Sequence, residues 1–155
     1  MEISRIDATF ERYDELLTLV LDAFAYMDGR IDPPSSALAL TSEGLKEKAS
    51  AEIGFVVADG PVLVGCIFCK PEIDCLYIGK LAVAAAYQGK GVGRLLLASA
   101  EEAARSRRLP ALRLQTRIEL IENHLMFAAW GFVETGRTAH PGFTRPTTVE
   151  MRKTL

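Results

Sequence analysis

Membrane, secretory and nucleic-acid features are largely missing from this sequence. Its longest apolar runs, such as Leu16–Val20 and Ile53–Ala58, are far too short to cross a bilayer. Its formal net charge is −2, with neither a general basic field nor an acidic tail. The first residues, MEISR, lack the apolar segment of a signal peptide. We therefore expect a cytoplasmic protein that binds neither membranes nor nucleic acid.

Cysteine is also scarce. The three cysteines are Cys66, Cys69 and Cys75, and an odd number argues against a closed disulfide framework. Cys66 and Cys69 have the spacing of a metal or redox pair, but they lie in a strand-like run where residues three apart point to opposite faces. Because there is no second pair and the only histidines are His124 and His140, we predict no metal and three small core residues.

Length and composition indicate an ordinary globular protein. With 155 residues, 49% of them apolar and 25% charged, the chain is long enough for one domain with a substantial core. We therefore predict a single domain over residues 1–155.

Hydrophobic periodicity and turn signals predict the elements. Helical spacing occurs over residues 10–26, 42–49, 92–108 and 122–130, and strand patterns over residues 3–6, 53–58, 62–70, 75–83, 111–116, 132–135 and 147–155. Asp7 or Thr9 is the expected cap of the first helix, and Thr41 or Ser42 that of the second. Gly79, in the middle of a strand, indicates a bulge or a close backbone approach. The strand–helix–strand unit over residues 75–116 predicts a parallel pair with a right-handed crossover.

The most informative stretch is LYIGKLAVAAAYQGKGVGRLLL, residues 76–97. It runs from a strand through a glycine-rich loop into a helix. Glycines let a ligand approach the backbone closely, and the first amides of a helix have no partner within it. Together with the helix dipole, these groups form a site suited to an anion such as a pyrophosphate.

Two well-known phosphate-binding patterns do not fit this stretch. The P-loop pattern GxxxxGK[ST] fails because no Gly-Lys pair here has the upstream glycine and the Ser or Thr that holds magnesium. The dinucleotide pattern GxGxxG fails because no third glycine follows Gly93 and no carboxylate lies near Arg113, about 20 positions on. A glycine-rich turn that merely joins a strand to a helix is the remaining simple alternative.

The pattern that does fit is Gln88-x-x-Gly91-x-Gly93 after a strand. It resembles the acetyl-CoA-binding motif, Q/R-x-x-G-x-G/A, of the GCN5-related N-acetyltransferase (GNAT) superfamily. Asn123, an apolar helix and Gly131-Phe132 resemble the family's downstream signature. The resemblance implies an α/β (α+β) three-layer fold with a mixed sheet of about six to seven strands, a splayed central strand pair and flanking helices.

The resemblance also implies a set of acetyl-CoA contacts. Backbone groups of Leu81 and Val83 would pair with the pantetheine arm, the amides from Gly89 to Arg94 would hold the pyrophosphate, and Asn123 would contact the arm. The full set of implied cofactor residues is Leu81, Ala82, Val83, Gln88, Gly89, Lys90, Gly91, Val92, Gly93, Arg94, Asn123 and Phe127. Two alternatives stay open: the side chains of Lys90 and Arg94 are only solvated cations, and Asn123 is only a helix cap.

The catalytic groups are harder to assign. The family's reaction is direct attack of a neutral amine on the thioester, which needs a base or water path, an oxyanion stabiliser near Val83 and a proton donor for the leaving thiolate. Many members carry a tyrosine as the acid where this chain has Phe127. Tyr77 approximately matches a glutamate of other members, and at its usual pKa of about 10 it is a poor base. Tyr77 is the catalytic candidate, with a packing tyrosine as the alternative.

The sequence says least about the substrate that accepts the acetyl group. The resemblance implies acetylation of a primary amine on a small molecule, peptide or protein, and a homodimer as the assembly. A non-catalytic acyl-CoA-binding or sensing module is the alternative, because Phe127 cannot give a proton. Residues 28–41 form either a plain connector or a lid over the acceptor. Asp28, Asp32 and Glu150 are carboxylates that could attract a cationic amine.

Overall fold

The computed structural model describes residues Met1 to Leu155. Besides three short 3-10 turns, it contains seven strands and four helices. In chain order they are β1 (Glu2–Arg5), α1 (Tyr13–Phe24), α2 (Ser42–Ala51), β2 (Ile53–Asp59), β3 (Val62–Pro71), β4 (Leu76–Val83), α3 (Val92–Ser106), β5 (Ala111–Arg117), α4 (Ile121–Ala129), β6 (Val133–Thr138) and β7 (Thr148–Thr154). Each predicted element is present, although individual ends differ by up to three residues.

The seven strands form one mixed sheet in the order β1-β2-β3-β4-β5-β7-β6. Neighbouring strands are antiparallel except β4 and β5, which are parallel as predicted for the strand–helix–strand unit. The expectation of a mixed sheet of six to seven strands with flanking helices is therefore confirmed.

The parallel pair separates after a short contact. β4 and β5 are in register only from Leu76 opposite Leu112 to Ile78 opposite Leu114. Beyond this point β4 stays paired with β3 up to Val83, and β5 stays paired with β7 up to Arg117. The predicted splay of the central strands is confirmed, and it opens a gap in the middle of the sheet.

Each face of the sheet carries its own apolar core. On one face the α3 residues Leu96 and Ala100 pack with Cys69. On the other, α1 and α2 contribute Leu16 and Leu45, which pack with Cys66. The two cysteines therefore point to opposite faces, as strand alternation requires. All three cysteines are free and buried, which confirms their prediction as core residues.

Two local predictions are confirmed and one is wrong. Thr41 caps α2, because its hydroxyl accepts a hydrogen bond from the Gly44 amide at 3.0 Å. Gly79 is the extra residue of a bulge, since the β4 residues on either side of it pair with consecutive residues of β3. Neither Asp7 nor Thr9 caps α1. Asp7 accepts from the Thr9 amide in a separate turn, and the helix begins only at Tyr13.

None of the four helices combines the length and the apolar character needed to cross a bilayer.

Candidate active site

A cavity of about 1000 Å³ opens where β4 and β5 separate. One end, called here the loop end, is walled by residues 88–94 without Lys90 and by α4. The other end, called the α1 end, is walled by the end of α1, Tyr26, residues 34–36 and His140. Residues of β4 line the cavity between these ends, so a ligand on the glycine loop and a ligand beside α1 would meet at the gap in the sheet.

The free edge of β4 is well suited to an extended ligand. The Ala84 amide donates to the Val64 carbonyl at 2.9 Å, which directs the backbone groups of Ala84 toward β3. Because these directions alternate along an antiparallel strand, the amides and carbonyls of Leu81 and Val83 face away from β3, into the gap. A chain of amides could pair there as an additional strand.

The glycine loop places backbone donors at the start of α3. Gly91 is the N-cap residue, and its φ of +86° lies in the left-handed region that favours glycine. The first intrahelical bond runs from the Leu95 amide to the Gly91 carbonyl at 3.0 Å, so the amides of residues 92–94 precede it. The first turn of α3 contains no acidic residue. This arrangement favours an anion.

Gly93 is required by packing between helices. A Cβ atom at this position would lie 2.9 Å from the ring of Trp130, just beyond α4. The guanidinium of Arg94 also approaches this ring, at 5.9 Å from its centre. The ammonium group of Lys90 lies 5.3 Å from the centre of the Tyr87 ring. Both exposed cations therefore lie over aromatic rings beside the loop.

The cavity collects most of the predicted cofactor residues. It is lined by Leu81, Val83, Gln88, Gly89, Gly91, Val92, Gly93, Arg94, Asn123 and Phe127. Ala82 and Lys90 are not among its walls. Ala82 is buried in the core beneath α1, because its side chain points to the opposite face from Leu81 and Val83.

Asn123 makes a contact that the sequence did not predict. Its side-chain amide donates to the hydroxyl of Tyr26, just after α1, at 2.9 Å. The interpretation of Asn123 as a helix cap is wrong, because α4 is preceded by Leu120 and no side chain caps it. Asn123 is the third residue of the helix, and its side chain faces the cavity.

Phe127 lies one turn further along the same face of α4. It is 9% exposed. Its ring packs edge-on against Trp130, at 5.9 Å between ring centres, and against Phe132, at 5.7 Å. The side chain that replaces the usual tyrosine thus forms part of an apolar wall.

Tyr77 lies in the cavity wall on β4. Its hydroxyl is 3.5 Å from the side-chain oxygen of Gln115, and the Arg113 guanidinium lies over its ring. Burial raises the pKa of Tyr77, so the phenol is protonated at neutral pH. Such a group can donate a proton but cannot act as a base. Its catalytic role stays a prediction.

The two histidines differ in position. The ring nitrogen Nε2 of His124 is 2.8 Å from the Arg117 carbonyl, and His124 does not line the cavity. His140 does line it, and its Nδ1 contacts the hydroxyl of the buried Thr147. Burial, and then the charge of Arg117, lower the pKa of His140. No local pattern predicts the placement of His140, because the long connection between β6 and β7 carries it there.

Lys80 is a cavity residue that sequence reasoning missed. It directly follows the bulged Gly79 on β4, and its ammonium group is 3.4 Å from the Ser36 hydroxyl. Burial and the nearby charge of Lys48 lower its pKa, whereas Glu52, which pairs with Lys48 at 2.8 Å, has a smaller opposite effect. The sequence signal that could have identified Lys80 is a charged residue on the strand that leads to the glycine loop.

Residues 28–41 are held against the α1 end of the cavity. The guanidinium of Arg117, on β5, donates to the carbonyls of Pro33 at 2.6 Å and Pro34 at 3.0 Å. Arg30 pairs with Glu122 of α4 at 2.6 Å. Pro34, Ser35 and Ser36 line the cavity. The segment therefore forms a wall of the α1 end and is more than a connector.

The carboxylates considered for a cationic amine lie elsewhere. Asp28, Asp32 and Glu150 do not line the cavity. Asp32 pairs with Arg145 at 3.3 Å, and Glu150 pairs with Arg113 at 2.8 Å. No group of three or more His, Cys, Asp and Glu side chains is arranged to hold a metal ion.

Several solved acetyltransferase structures have this fold. PaiA N-acetyltransferase from Thermoplasma acidophilum, in complex with coenzyme A, has a TM-score of 0.83 at 16% identity, with 100% of both chains covered. Aminoglycoside 6′-acetyltransferase type Ii has a TM-score of 0.77 at 22% identity, covering 99% of this chain and 97% of that one. The ribosomal-protein-S18-alanine N-acetyltransferase from Escherichia coli has a TM-score of 0.68 at 16% identity, covering 99% and 94%. No curated protein matches the chain.

The sequence also matches a family model, described as the acetyltransferase (GNAT) family, over residues 13–132. This range begins with α1 and ends just before β6, so it includes the splayed strands, the glycine loop and α4. The chain therefore belongs to the GNAT acetyltransferase family.

Proposed function

We propose that this protein transfers the acetyl group of acetyl-CoA to a primary amine by direct attack, with residues 1–155 acting as one domain. The observation that carries the proposal is the continuity of the cavity. It runs from the backbone donors at the start of α3, through the gap between β4 and β5, to the α1 end.

The residues at the loop end fit coenzyme A. The amides from Gly89 to Arg94 would hold the pyrophosphate, and Lys90 and Arg94 would add positive charge near it. Backbone groups of Leu81 and Val83 would pair with the amides of the pantetheine arm. Phe127 would supply apolar contact to the arm, and Asn123 would contact it through its side-chain amide.

The chemistry follows from this placement. Bound acetyl-CoA supplies the reactive thioester. A backbone amide near Val83 would stabilise the oxygen of the thioester carbonyl as charge develops there. The α1 end would hold the amine close to the thioester carbon, and such positioning alone lowers the barrier to aminolysis substantially. Tyr77 is a candidate side chain for proton transfer.

The structural neighbours suggest which amines to test first. Their names include an aminoglycoside and an alanine of the ribosomal protein S18 as acceptors. We would therefore incubate the protein with acetyl-CoA and an aminoglycoside, an alanine-terminated peptide or hydroxylamine as a small generic nucleophile. Thiol release would be recorded, and products would be analysed by mass spectrometry. Amine-dependent release with a matching acetylated product is the expected result.

One observation favours a second function. Phe127 occupies the place where many family members have the proton donor, which is what a module that only binds or senses acyl-CoA would tolerate. Calorimetry separates the two functions. Binding of acetyl-CoA without release of thiol to any of these amines would favour the sensing module, whereas absence of binding would contradict both.

A further inference from the structure

We propose that Tyr26, in the turn just after α1, is the proton donor for the departing thiolate and takes the role that Phe127 cannot fill. The inference rests on the proposed acetyl transfer. It is drawn from the contact between Tyr26 and α4, from the shape of the cavity and from the free hydrogen of the phenol.

The position of the hydroxyl is fixed by α4. Asn123 donates to it at 2.9 Å, and Asn123 and Phe127 are four residues apart on one helix. Side chains at this spacing lie on the same face, with about 5–6 Å between their Cβ atoms. Both line the cavity, and so does Tyr26. The Tyr26 hydroxyl therefore meets α4 one helical turn before Phe127, although it comes from a different part of the chain.

The direction of this hydrogen bond leaves the phenol able to donate. The Asn123 nitrogen is a donor only, so the Tyr26 oxygen accepts and its own hydrogen stays available. The Tyr26 hydroxyl donates no hydrogen bond to another group of the protein. Tyr87, another phenol of the cavity wall, differs because it already donates to Asp59 at 2.7 Å.

Two neighbours suit a phenol that loses its proton. The Asn123 amide would strengthen its hydrogen bond to a phenolate oxygen. Arg30 places its guanidinium 5.8 Å from the centre of the Tyr26 ring and is held there by Glu122. These contacts also fix the position of a side chain that is 40% exposed.

The proton balance of the step is simple. The neutral amine forms the C–N bond, the C–S bond breaks, and its electron pair goes to sulfur. Tyr26 gives its hydroxyl proton to the sulfur and becomes a phenolate, and coenzyme A leaves as the thiol. The phenolate then takes the proton that the amine nitrogen loses, so one amine and one thioester become one amide and one thiol.

The test compares four variants with hydroxylamine and acetyl-CoA as substrates. Tyr26→Phe removes only the hydroxyl, and we expect kcat to fall about 100-fold, as for loss of a general acid. Tyr13→Phe is the matched control on α1, because Tyr13 packs against Phe10 outside the cavity. In the double variant Tyr26→Phe/Phe127→Tyr, a phenol returns on α4 and kcat should recover. Phe127→Tyr alone is the reference that shows what the added hydroxyl does while Tyr26 is present.

The pH profile distinguishes proton donation from a structural role. A donor acts only while protonated, so wild-type kcat should fall at high pH, and this decline should be absent from the residual activity of Tyr26→Phe. If Tyr26 merely positioned Asn123, the double variant would stay slow, because Phe127→Tyr does not restore that contact. If kcat and the pH profile are unchanged in Tyr26→Phe, the role of Tyr26 is wrong but the proposed acetyl transfer is not affected. If the wild type does not bind acetyl-CoA, both the role of Tyr26 and the proposed function are wrong.

Discussion

The guanidinium of Arg113 lies 4.3 Å from the centre of the Tyr77 ring. The same group donates to Glu72 at 3.0 and 3.2 Å and to Glu150 at 2.8 Å. One cation thus joins the turn before β4, β4 itself, β5 and β7. It neutralises two partly buried carboxylates and fixes the ring of Tyr77 at the edge of the cavity.

Replacing Arg113 by methionine should destabilise the fold in a pH-dependent way. Two carboxylates would lose their partner, at a cost of about 1–3 kcal/mol. The hydrogen bond from Arg113 lowers the pKa of Glu72, so this stabilisation is present above the unfolded pKa of about 4.3 and is lost as pH falls through the folded value. Urea unfolding at pH 7 and below pH 4 checks this. The free-energy difference between wild type and Arg113→Met should shrink in acid, and a constant difference would contradict the assignment.

Substituting Gly91 by aspartate should abolish acetyl-CoA binding while the domain still folds. A Cβ atom at Gly91 would meet open space in the loop, and the negative charge of an aspartate there would repel the phosphates. Gly60→Asp is the matched control, since Gly60 also has positive φ, +57°, and open space around it but lies in the hairpin between β2 and β3. Both variants place an aspartate at a residue with positive φ. Calorimetric titration should show binding only for Gly60→Asp, and binding by Gly91→Asp would refute the loop assignment.

The three thiols should be unreactive toward disulfide reagents in the native protein. Burial raises the pKa of Cys66 and of Cys69 to about 12 and that of Cys75 to about 11. The thiolate is the reactive form, so a disulfide reagent such as Ellman's should release no colour at pH 8 until denaturant is added. Rapid reaction of Cys66 or Cys69 in the folded protein would show that the two cores are not closed as described, and rapid reaction of Cys75 would show that it is not buried.

The same pKa shifts predict that the folded state loses stability at alkaline pH. A thiol whose folded pKa exceeds its unfolded value of about 8.5 contributes stability below that value and loses it as pH rises toward the folded one. The free energy of unfolding should therefore fall between pH 8.5 and 11.

The sheet and the loop end were predictable from local sequence. Period-two runs and the glycine loop are short-range signals, and the bulge at Gly79 followed from one glycine in a strand. The start of α1 was not predictable in this way. Asp7 has the chemistry of a cap, but it closes a separate turn with Thr9.

The α1 end depends on contacts between distant residues, which no local pattern reports. Tyr26 is the last residue of the helix predicted over residues 10–26, yet its hydroxyl meets Asn123, 97 positions away. Arg117 binds the carbonyls of Pro33 and Pro34 across a separation of 84 and 83 positions. His140 reaches the cavity only because the connection between β6 and β7 returns to β5. Chain topology determines these positions, so the residues of the α1 end could be identified only from the structure.

Thermal unfolding with and without acetyl-CoA, with ATP and NAD as controls, tests the central claim most directly. At about 100 times its dissociation constant, a ligand that binds only the folded state stabilises it by about 2.7 kcal/mol. For a domain of this size that corresponds to a rise in Tm of roughly 5–11 °C. We predict such a rise with acetyl-CoA and none with ATP or NAD. An unchanged Tm at saturating acetyl-CoA, or an equal rise with all three ligands, would contradict the assignment of the loop end as an acetyl-CoA site.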